Sequence, residues 1–388
     1  MGAGSDRRGF LRLGGGSALA AALAGVRSWQ ARAEAPFTID SEQHRLRVVP
    51  VATGLEHPWG LDFLPDGVIL LTERPGRLRR VRAEGGLDPT PLPGVPRVVA
   101  AGQGGLLDVA LHPAFARNGL VYLTYAGGVA RASYTGLARG RLGPGGLSGL
   151  REIFRARPAA ASSKHYGSRV VPDGRGHLFL SVGERGKMEG AQRLGQHHGK
   201  ILRLREDGSV PAGNPFAGRP DARPEIWALG IRNPQGLCLD RATGRLWECE
   251  HGPMGGDELN LITRGRNYGW PVITHGRDYD GSPIGVGTHR AGLEQPVRHW
   301  TPAIAPSGLT VYRHSLFPAW AGNLFLGALK ARLLVRLVLD AAGRVVHEER
   351  LLEGRIGRVR AVKAAPDGRL WLLTDEQEGA LWRIEPAG

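Results

Sequence analysis

Long helical patterns are largely missing from this sequence of 388 residues. Few stretches with a 3.6-residue apolar period run without a Gly or Pro, and the chain holds 59 Gly and 27 Pro. Because these residues punctuate turns, their frequency favours many short strands over helices. The expected class is all-β, and large all-β folds commonly use this length as one domain.

Lysine is also scarce, and the sequence has no long basic run. The formal net charge is +15, yet only five of the 51 basic residues are Lys, and the Arg residues are spread along the chain. Nucleic-acid binding would predict basic clusters with interleaved aromatic residues, so we expect no nucleic-acid partner. A small acidic ligand or a negatively charged partner surface is compatible with the charge.

The apolar run Leu13–Gly25 is too short for a membrane span of about 20 residues. It follows Arg7-Arg8-Gly9-Phe10 and precedes Ala31-Arg32-Ala33, an order that resembles a twin-arginine export signal. We therefore expect residues 1–33 to be a signal peptide and residues 34–388 to form a mature, periplasmic domain without a transmembrane span. Losing this segment removes five Arg and one Asp and lowers the net charge from +15 to +11. A basic, Ala-rich disordered N-terminus is the alternative.

Cysteine occurs only twice. Cys238 and Cys249 fall on two predicted strands of one hairpin, joined by Ala242-Thr243-Gly244. An oxidising compartment would allow them to pair. Counted from the turn they need not be opposite each other, and disulfide geometry is strict, so the sequence leaves the disulfide open.

What the sequence does contain is a loose repeat of a strand, a turn that is often Pro-Asp-Gly, and a second strand rich in Leu, Val, Tyr or Trp. The copies cover residues 60–73, 108–125, 168–184, 236–250, 308–330 and 360–376. Repeats about 50 to 75 residues apart leave room for two more strands each, which fits propeller blades better than solenoid turns. The sequence therefore predicts an all-β, six-bladed β-propeller.

Polar groups follow the second strand in five of the six copies. They are Glu73-Arg74, Gly183-Glu184-Arg185, Glu250-His251-Gly252-Pro253, Lys330 and Thr374-Asp375-Glu376. Equivalent strand ends lie on one face of a propeller, so we expect these groups to converge around the axis.

Six segments, in their order along the chain, resemble a known enzyme family. They are HYGSRVVPDGRGHLFLSVGE, IRNPQG, EHGPMGGDELN, RNYGWP, GALK and RVRAVKAAPDG, and the likeness covers roughly Val51 to Ile384. The family is that of the soluble aldose sugar dehydrogenases, six-bladed propellers that use pyrroloquinoline quinone (PQQ). The resemblance implies oxidation of an aldose at its anomeric carbon to a lactone, with electrons passed to a membrane quinone or a cytochrome.

The resemblance implies catalytic roles for three residues. His165 matches the catalytic base, and a neutral imidazole has the basicity needed to remove the anomeric hydroxyl proton. Glu184 matches the carboxylate that holds this imidazole, although a surface ion pair with Arg185 explains Glu184 equally well. Arg232 matches a cation beside the cofactor quinone, where fixed donors would stabilise developing negative charge, and the alternative is an Arg that only bonds loop carbonyls.

The resemblance also implies a cofactor site with several cations, because PQQ carries three carboxylates. Lys330, Arg358 and Arg360 match positions that bind these carboxylates, and Arg358 and Arg360, two residues apart, share a strand face. The other matching positions are Gln103, Asn233 and Trp300, together with His165, Arg232, Gly252 and Pro253. Taken singly, Trp300 is explained better as a core or rim residue, and Lys330 could be a solvated strand end.

Calcium is implied by the resemblance alone, since the sequence has no EF-hand spacing. Gly252 and Pro253 match residues whose carbonyl oxygens bind a calcium ion that also touches the cofactor, and such oxygens suit Ca²⁺. Glu258 and the Tyr268 carbonyl match ligands of further calcium, with Asp257 nearby.

Two positions depart from the glucose dehydrogenase branch of the family. Lys164 precedes His165 where that branch has an acidic residue, and a cation there should lower the pKa of the imidazole. Glu184 stands where that branch has Asp. The substrate preference of that branch therefore does not transfer, and the sequence leaves the sugar and the choice between monomer and homodimer open.

Two other functions remain as alternatives. A calcium-dependent six-bladed lactonase would need carboxylate and Asn side chains around one axial metal, and a non-catalytic propeller would bind sugars or proteins. Joint retention of His165, Arg232, Lys330, Arg358 and Arg360 argues against the second alternative, because blade packing requires none of them.

Overall fold

A computed structural model describes residues 35–82 and 84–388, and within them six antiparallel sheets follow one another along the chain. The predicted export signal, residues 1–33, lies outside the described residues. The sheets form a six-bladed β-propeller, as the sequence predicted. No helix in the described ranges is long and apolar enough to cross a membrane.

The strands are short, as the Gly and Pro content predicted. In chain order they are β1 (Phe37–Asp40), β2 (Arg45–Leu55), β3 (Pro58–Phe63), β4 (Ile69–Glu73), β5 (Arg77–Val81), β6 (Leu106–Leu111), β7 (Leu120–Val129), β8 (Ala132–Gly143), β9 (Gly146–Arg155), β10 (Val170–Pro172), β11 (His177–Val182), β12 (Lys200–Arg205), β13 (Ile226–Leu229), β14 (Pro234–Asp240), β15 (Arg245–Glu250), β16 (Asp257–Ile262), β17 (Arg298–Trp300), β18 (Pro306–Val311), β19 (Leu324–Ala328), β20 (Leu333–Leu339), β21 (Val345–Leu351), β22 (Val359–Ala364), β23 (Leu370–Thr374) and β24 (Gly379–Pro386). The helical segments are α1 (Phe115–Asn118) and two 3-10 turns, Met188–Gln192 and Pro318–Trp320.

Blades 1 to 5 take consecutive strands: β3–β5, β6–β9, β10–β13, β14–β17 and β18–β21. The first strand of each blade contacts the first strand of the next, and this inner ring closes between β22 and β3. Each predicted repeat coincides with the first two strands of one blade, which confirms the repeat as the unit of the fold.

Blade 6 joins the two ends of the described chain. Strands β22, β23 and β24 come from the C-terminal side, and β2 pairs with β24 from the N-terminal side, with Val48 opposite Ile384. Strand β1 then pairs with β2 at the outer edge. Because both ends contribute to one sheet, the ring is closed by backbone hydrogen bonds, and neighbouring blades can bury each other's apolar faces.

Blade 1 differs in having three strands among the described residues. Isolated bridges from Leu78 to Leu92 and from Val81 to Leu87 stand where other blades have a fourth strand. The segment 89–96 contains four Pro residues. Since Pro cannot donate to a strand ladder, this segment cannot form a regular outer strand.

The two cysteines lie in the described region, and both are free thiols. Cys238 is opposite Trp247 across the hairpin, whereas Cys249 is opposite Gly236. The two-residue offset removes them from direct pairing, so the structure answers the open question of the disulfide in favour of reduced cysteines.

Buried His198 predicts a loss of stability in mild acid. Its Nε2 bonds to the Pro158 carbonyl at 2.8 Å, and burial lowers its pKa to about 4. An unfolded imidazole has a pKa near 6.5, so below that value protons bind the unfolded state first and stability falls as the pH drops toward 4. We expect His198→Gln to remove about 2 kcal/mol of the stability lost between pH 7 and pH 5.

Urea unfolding of both proteins at pH 7 and pH 5 measures this difference. His289→Gln, on an exposed loop, is the control and should leave the acid sensitivity as in the parent. An equal acid loss in the parent and in His198→Gln would assign the acid sensitivity to other groups.

Candidate active site

A cavity of about 330 Å³ opens on the propeller axis, on the face where first strands begin and second strands end. All six blades contribute to its lining, which consists of His57, Trp59, Arg74, Gln103, Leu107, Tyr166, Gly167, Asn233, Gln235, His251, Ala305, Leu329, Arg358, Arg360 and Asp375. The predicted convergence of strand-end groups is confirmed for Arg74, His251 and Asp375. Lys330 follows the lining residue Leu329 but is itself exposed.

His165 lies beside this cavity, next to the lining residues Tyr166 and Gly167. Its backbone adopts a positive φ of 53°, and its N–H donates to Gln103 Oε1 at 2.8 Å. The backbone of Gly183 passes so close that a Cβ there would lie 2.2 Å from the His165 carbonyl oxygen. The loop is therefore fixed by contacts that no larger residue at position 183 would permit.

The His165 imidazole is held by Glu184. Nδ1 of His165 bonds to Oε1 of Glu184, and both side chains are almost fully buried. Since an ionised carboxylate only accepts, Nδ1 carries the proton and Nε2 keeps its lone pair. Burial lowers the pKa of His165, Arg232 and Lys164 lower it further, and Glu184 opposes them. The imidazole is thus neutral at neutral pH, as a general base must be.

The structure also decides between the two interpretations of Glu184. The carboxylate binds His165, whereas Arg185 donates to the carbonyls of Lys164 and Ser162 and packs 3.4 Å from the centre of the Tyr166 ring. Lys164 lowers the pKa of His165, as predicted. Its effect is smaller than those of burial, Glu184 and Arg232.

This geometry predicts the effect of Glu184→Gln. The amide can turn its NH₂ toward Nδ1, which favours the wrong tautomer, and it cannot stabilise the imidazolium formed in turnover. We expect sugar oxidation with kcat about 10- to 100-fold lower. Because Glu184 raises the pKa of His165, its loss should also move the acid limb of the kcat profile to lower pH.

The measurement is kcat against pH for the reconstituted enzyme. Glu225→Gln is the matched control, because the partly buried Glu225 holds the buried His197 at 3.1 Å in a second His–Glu pair that does not line the described cavity. A Glu184→Gln profile that superimposes on the parent would remove Glu184 from the mechanism.

Arg232 and Asn233 are fixed by a buried carboxylate. Both backbone N–H groups donate to Glu250 Oε2, and the Arg232 carbonyl accepts from the Glu184 N–H at 2.9 Å. The Arg232 guanidinium donates to the carbonyls of His251 and Gly252 at 3.0 and 2.9 Å. Its buried Nε has no partner among the described residues. Arg232 is thus linked through its backbone to Glu184, the residue that holds His165, and its Nε remains free to donate.

Two arginines contact one carboxylate in the cavity wall, and a third arginine lines the same wall. Arg360 donates twice to Asp375 Oδ2, Arg74 Nη2 lies 3.6 Å from Asp375 Oδ1, and Arg358 lines the same wall. Burial acts to raise the pKa of Asp375, but Arg360 and Arg74 hold it well below its usual range. Burial lowers the pKa of Arg74, and the charges of Arg360 and Arg358 lower it further. The wall therefore carries an excess of positive charge that suits a ligand with several carboxylates.

Further contacts fix the positions of these arginines. Arg360 Nη1 donates to Gln235 Oε1 at 2.7 Å, Arg358 Nη1 to the Leu329 carbonyl at 3.3 Å, and His57 Nδ1 bonds to Asp375 Oδ1 at 2.8 Å. The cationic wall is thus built before any ligand arrives, which limits the ordering cost of binding.

Trp300 has a different environment from the one that cofactor contact would require. It lies on β17, is 3% exposed in the core between blades 4 and 5, and donates its indole N–H to Glu348 at 3.1 Å. The structure thus supports the core interpretation of this residue.

The residues predicted to bind metal are buried and engaged in protein contacts. Asp257 accepts from the backbone N–H groups of Gly252, Ile304 and Ala305, at 2.7 to 2.8 Å. The Tyr268 hydroxyl donates to Leu261, and the Gly252 carbonyl accepts from Arg232. Within residues 35–82 and 84–388, no group of three or more His, Cys, Asp or Glu side chains has the geometry to hold a metal.

Buried acidic side chains accumulate behind Gly252 and Pro253. Glu250 is opposite Glu258 across two strands, and burial raises the pKa of Glu250 to about 7. Burial also raises the pKa of Glu258 well above its usual value, and repulsion from Glu250 adds to this effect. A cation near these carboxyl groups would favour their ionised form. Calcium at this place stays a prediction.

Sequence reasoning missed several lining residues, chiefly His57, Trp59 and Gln235. Trp59 and Gln235 are the second residues of β3 and β14, the place that Arg360 takes in β22, and His57 immediately precedes β3. The strand-end pattern drew attention to the ends of second strands. The start of each first strand was the signal that could have identified the others.

Comparison with known proteins gives consistent matches over the propeller. Residues 55–383 match the family described as Glucose / Sorbosone dehydrogenase. The chain is 43% identical to the aldose sugar dehydrogenase YliI of Escherichia coli, over 86% of this chain and 91% of that protein.

Solved structures agree. The apo form of the soluble aldose sugar dehydrogenase of Escherichia coli superposes with a TM-score of 0.85 at 42% identity, covering 88% of this chain and 99% of that one. The PQQ-bound form of an aldose sugar dehydrogenase from Streptomyces coelicolor gives a TM-score of 0.72 at 31% identity, covering 88% of this chain and 98% of that one.

Proposed function

Because this chain belongs to the glucose/sorbosone dehydrogenase family, we propose that it oxidises aldose sugars at the anomeric carbon to lactones, with PQQ as its cofactor. The observation that carries the proposal is the pairing of a neutral, carboxylate-held imidazole with a cavity wall of three arginines. The imidazole suits removal of a hydroxyl proton, and the wall suits a ligand with several carboxylates.

The cofactor site is assigned to residues whose chemistry fits PQQ. Arg358, Arg360 and Lys330 would hold its carboxylates, and Arg74 adds a fourth cation. Gln103 and Asn233 line the cavity between this wall and the base. When bound, PQQ supplies the acceptor for the two electrons that leave the sugar.

The residues of the chain perform the proton chemistry. His165 takes the anomeric hydroxyl proton at Nε2, and Glu184 keeps Nδ1 protonated and stabilises the resulting imidazolium. Arg232 offers its unused guanidinium donor to negative charge that develops in the cavity. Preorganisation by Glu250 and by the carbonyls of His251 and Gly252 keeps that donor in place.

The proposal also covers a calcium ion, an electron acceptor and a cellular location, and each of these rests on fewer observations. We assign Ca²⁺ to the carbonyls of Gly252 and Pro253, with Glu258 and the Tyr268 carbonyl nearby, on the basis of the buried acidic side chains and of the sequence motif. A membrane quinone or a cytochrome would take the electrons, and the basic protein surface would favour an acidic partner. The N-terminal motif supports export to the periplasm.

Reconstitution tests the proposal. Purified apoprotein is titrated with PQQ, with and without Ca²⁺, and then assayed with a dye acceptor over a panel of aldoses. We expect saturable PQQ binding and aldose-dependent dye reduction, and a chelator should weaken both. A parallel assay of lactone hydrolysis without PQQ tests the lactonase alternative.

The outcomes separate the functions. PQQ binding with sugar oxidation supports the proposal, whereas lactone hydrolysis without PQQ would replace it by the lactonase. PQQ binding without turnover of any aldose would indicate a binding propeller, and failure to bind PQQ would refute the proposal altogether.

A further inference from the structure

Arg169 occupies the propeller axis directly beneath the candidate active site. Arg169 immediately precedes β10 and is 6% exposed, and its backbone N–H donates to the side chain of Ser181, at Oγ, at 2.9 Å. The guanidinium lies 3.9 Å from the centre of the Trp59 ring, which is a cation–π distance.

This one guanidinium connects four other blades. Nε donates to the Gln235 carbonyl at 2.8 Å, and Nη2 donates to the Arg360 carbonyl at 3.0 Å. Nη1 donates to Asp108 Oδ1 at 3.2 Å and lies 3.5 Å from the Trp59 carbonyl. These acceptors belong to the first strands of blades 4, 6, 2 and 1, so Arg169, from blade 3, links five of the six inner strands.

The same layer separates two axial cavities. Trp59, Gln235 and Arg360 line the active-site cavity above it, whereas Asp108 and Arg169 line a second cavity of about 300 Å³ on the opposite face. The layer is tightly built, because a Cβ on Gly60 would lie 2.4 Å from Asp108 Oδ1. Arg169 therefore lies in the layer beneath the active-site cavity and lines the second cavity rather than the first.

Stability alone explains this arrangement poorly. A buried ion pair such as Arg169–Asp108 loses much of its Coulomb gain to desolvation, and apolar residues of similar size often serve stability as well. Yet two of the carbonyls that Arg169 holds belong to Gln235 and Arg360, whose side chains bond to each other above this layer. By holding the backbone of Arg360, Arg169 thus fixes the position from which the Arg360 side chain reaches Asp375.

We propose that Arg169 is a positioning residue for the cofactor site. It holds the backbone of Gln235 and Arg360 in the layer beneath the cavity, so that the Arg360 guanidinium meets an anionic cofactor in one orientation. This inference rests on the proposed use of PQQ.

The test measures PQQ affinity of Arg169→Ala and Arg169→Lys by fluorescence titration. We expect Kd to rise about 10- to 100-fold in Arg169→Ala, the range for losing hydrogen bonds to a charged group. Guanidinium at about 10 mM should restore much of the affinity, because this planar cation can enter the vacated space and is too dilute to denature. Urea has the same shape as guanidinium but no charge. Neither urea nor NaCl should restore the affinity.

Arg336→Ala is the matched control. Arg336, in blade 5, is 2% exposed and bonds to Glu349 and Asn323 of the same blade and to Glu42 between β1 and β2, and it lines neither axial cavity. It should lower the unfolding midpoint and leave PQQ affinity within about twofold of the parent. If Arg169→Ala does not fold, Arg169→Lys carries the test, since it keeps the charge but cannot reach four acceptors.

The outcomes separate positioning from structural support. An unchanged Kd in both Arg169 variants, or a raised Kd that guanidinium leaves raised, would overturn the proposal. A crystal structure of cofactor-free Arg169→Lys gives a readout without PQQ, and we expect the contact between Arg360 and Asp375 to be displaced. If the parent protein itself fails to bind PQQ, the proposed function fails, and this structural readout alone decides whether Arg169 positions Arg360.

Discussion

Replacement of His165 by Ala is expected to lower kcat for aldose oxidation about 10²- to 10⁴-fold, the usual contribution of a general base. His165 Nε2 is the unprotonated nitrogen beside the cavity, because Nδ1 is held by Glu184. The arginines that would bind the cofactor lie in blades 1 and 6, and their hydrogen bonds and ion pairs are to other described residues than His165. PQQ affinity should therefore stay within about threefold of the parent.

Steady-state kinetics at saturating PQQ, together with a separate PQQ titration, measure the two effects. His197→Ala is the matched control, since this imidazole is also buried and paired with a glutamate but lies outside the cavity wall. Because His165 and Glu184 act as one unit, the double variant His165→Ala/Glu184→Gln should be no slower than His165→Ala alone. A His165→Ala enzyme with the parent kcat would show that another group removes the proton.

The six-bladed architecture could be predicted from the sequence, because the packing of each blade imposes a repeated sequence pattern. Each blade needs two buried inner strands joined by a tight turn, and this requirement leaves a pattern such as residues 168–184 or 236–250 in every copy. The irregular edge of blade 1 and the closure through β2 were not predicted. Edge strands contribute less to the core, so their sequence pattern is weaker, and pairing between the two ends of a chain has no local signal.

The residues of the candidate site were predicted through the family resemblance. It identified His165, Arg358 and Arg360, and the structure brings the two arginines into the cavity wall and His165 beside it. Trp300 was assigned by the same resemblance, but its indole is buried in the core and donates to Glu348. Arg169 could not be recognised, because its role depends on three carbonyl groups and one carboxylate from four distant segments that meet only when the ring closes.

Replacement of Arg360 by Ala is expected to weaken PQQ binding about 30- to 1000-fold, which is the range for truncating one partner of a buried, hydrogen-bonded charge pair. Two effects act in the same direction. The variant loses a cation of the cavity wall, and it leaves Asp375 in that wall with fewer positive neighbours. Asp375 would then repel the carboxylates of the cofactor, since His57 and Arg74 are its remaining partners.

A PQQ titration at low ionic strength and kcat at saturating PQQ distinguish binding from chemistry. We expect kcat to remain within about fivefold of the parent, because Arg360 is not bonded to His165, Glu184 or Arg232. Arg313→Ala is the control, as its ion pair with Asp240 is half exposed and should leave PQQ affinity unchanged. The variant Arg360→Ala/Asp375→Asn should recover part of the affinity, because it removes the unpaired negative charge together with the cation. Parent-like affinity in Arg360→Ala would mean that the three-arginine wall does not hold the cofactor, and the assignment of the cavity would have to be revised.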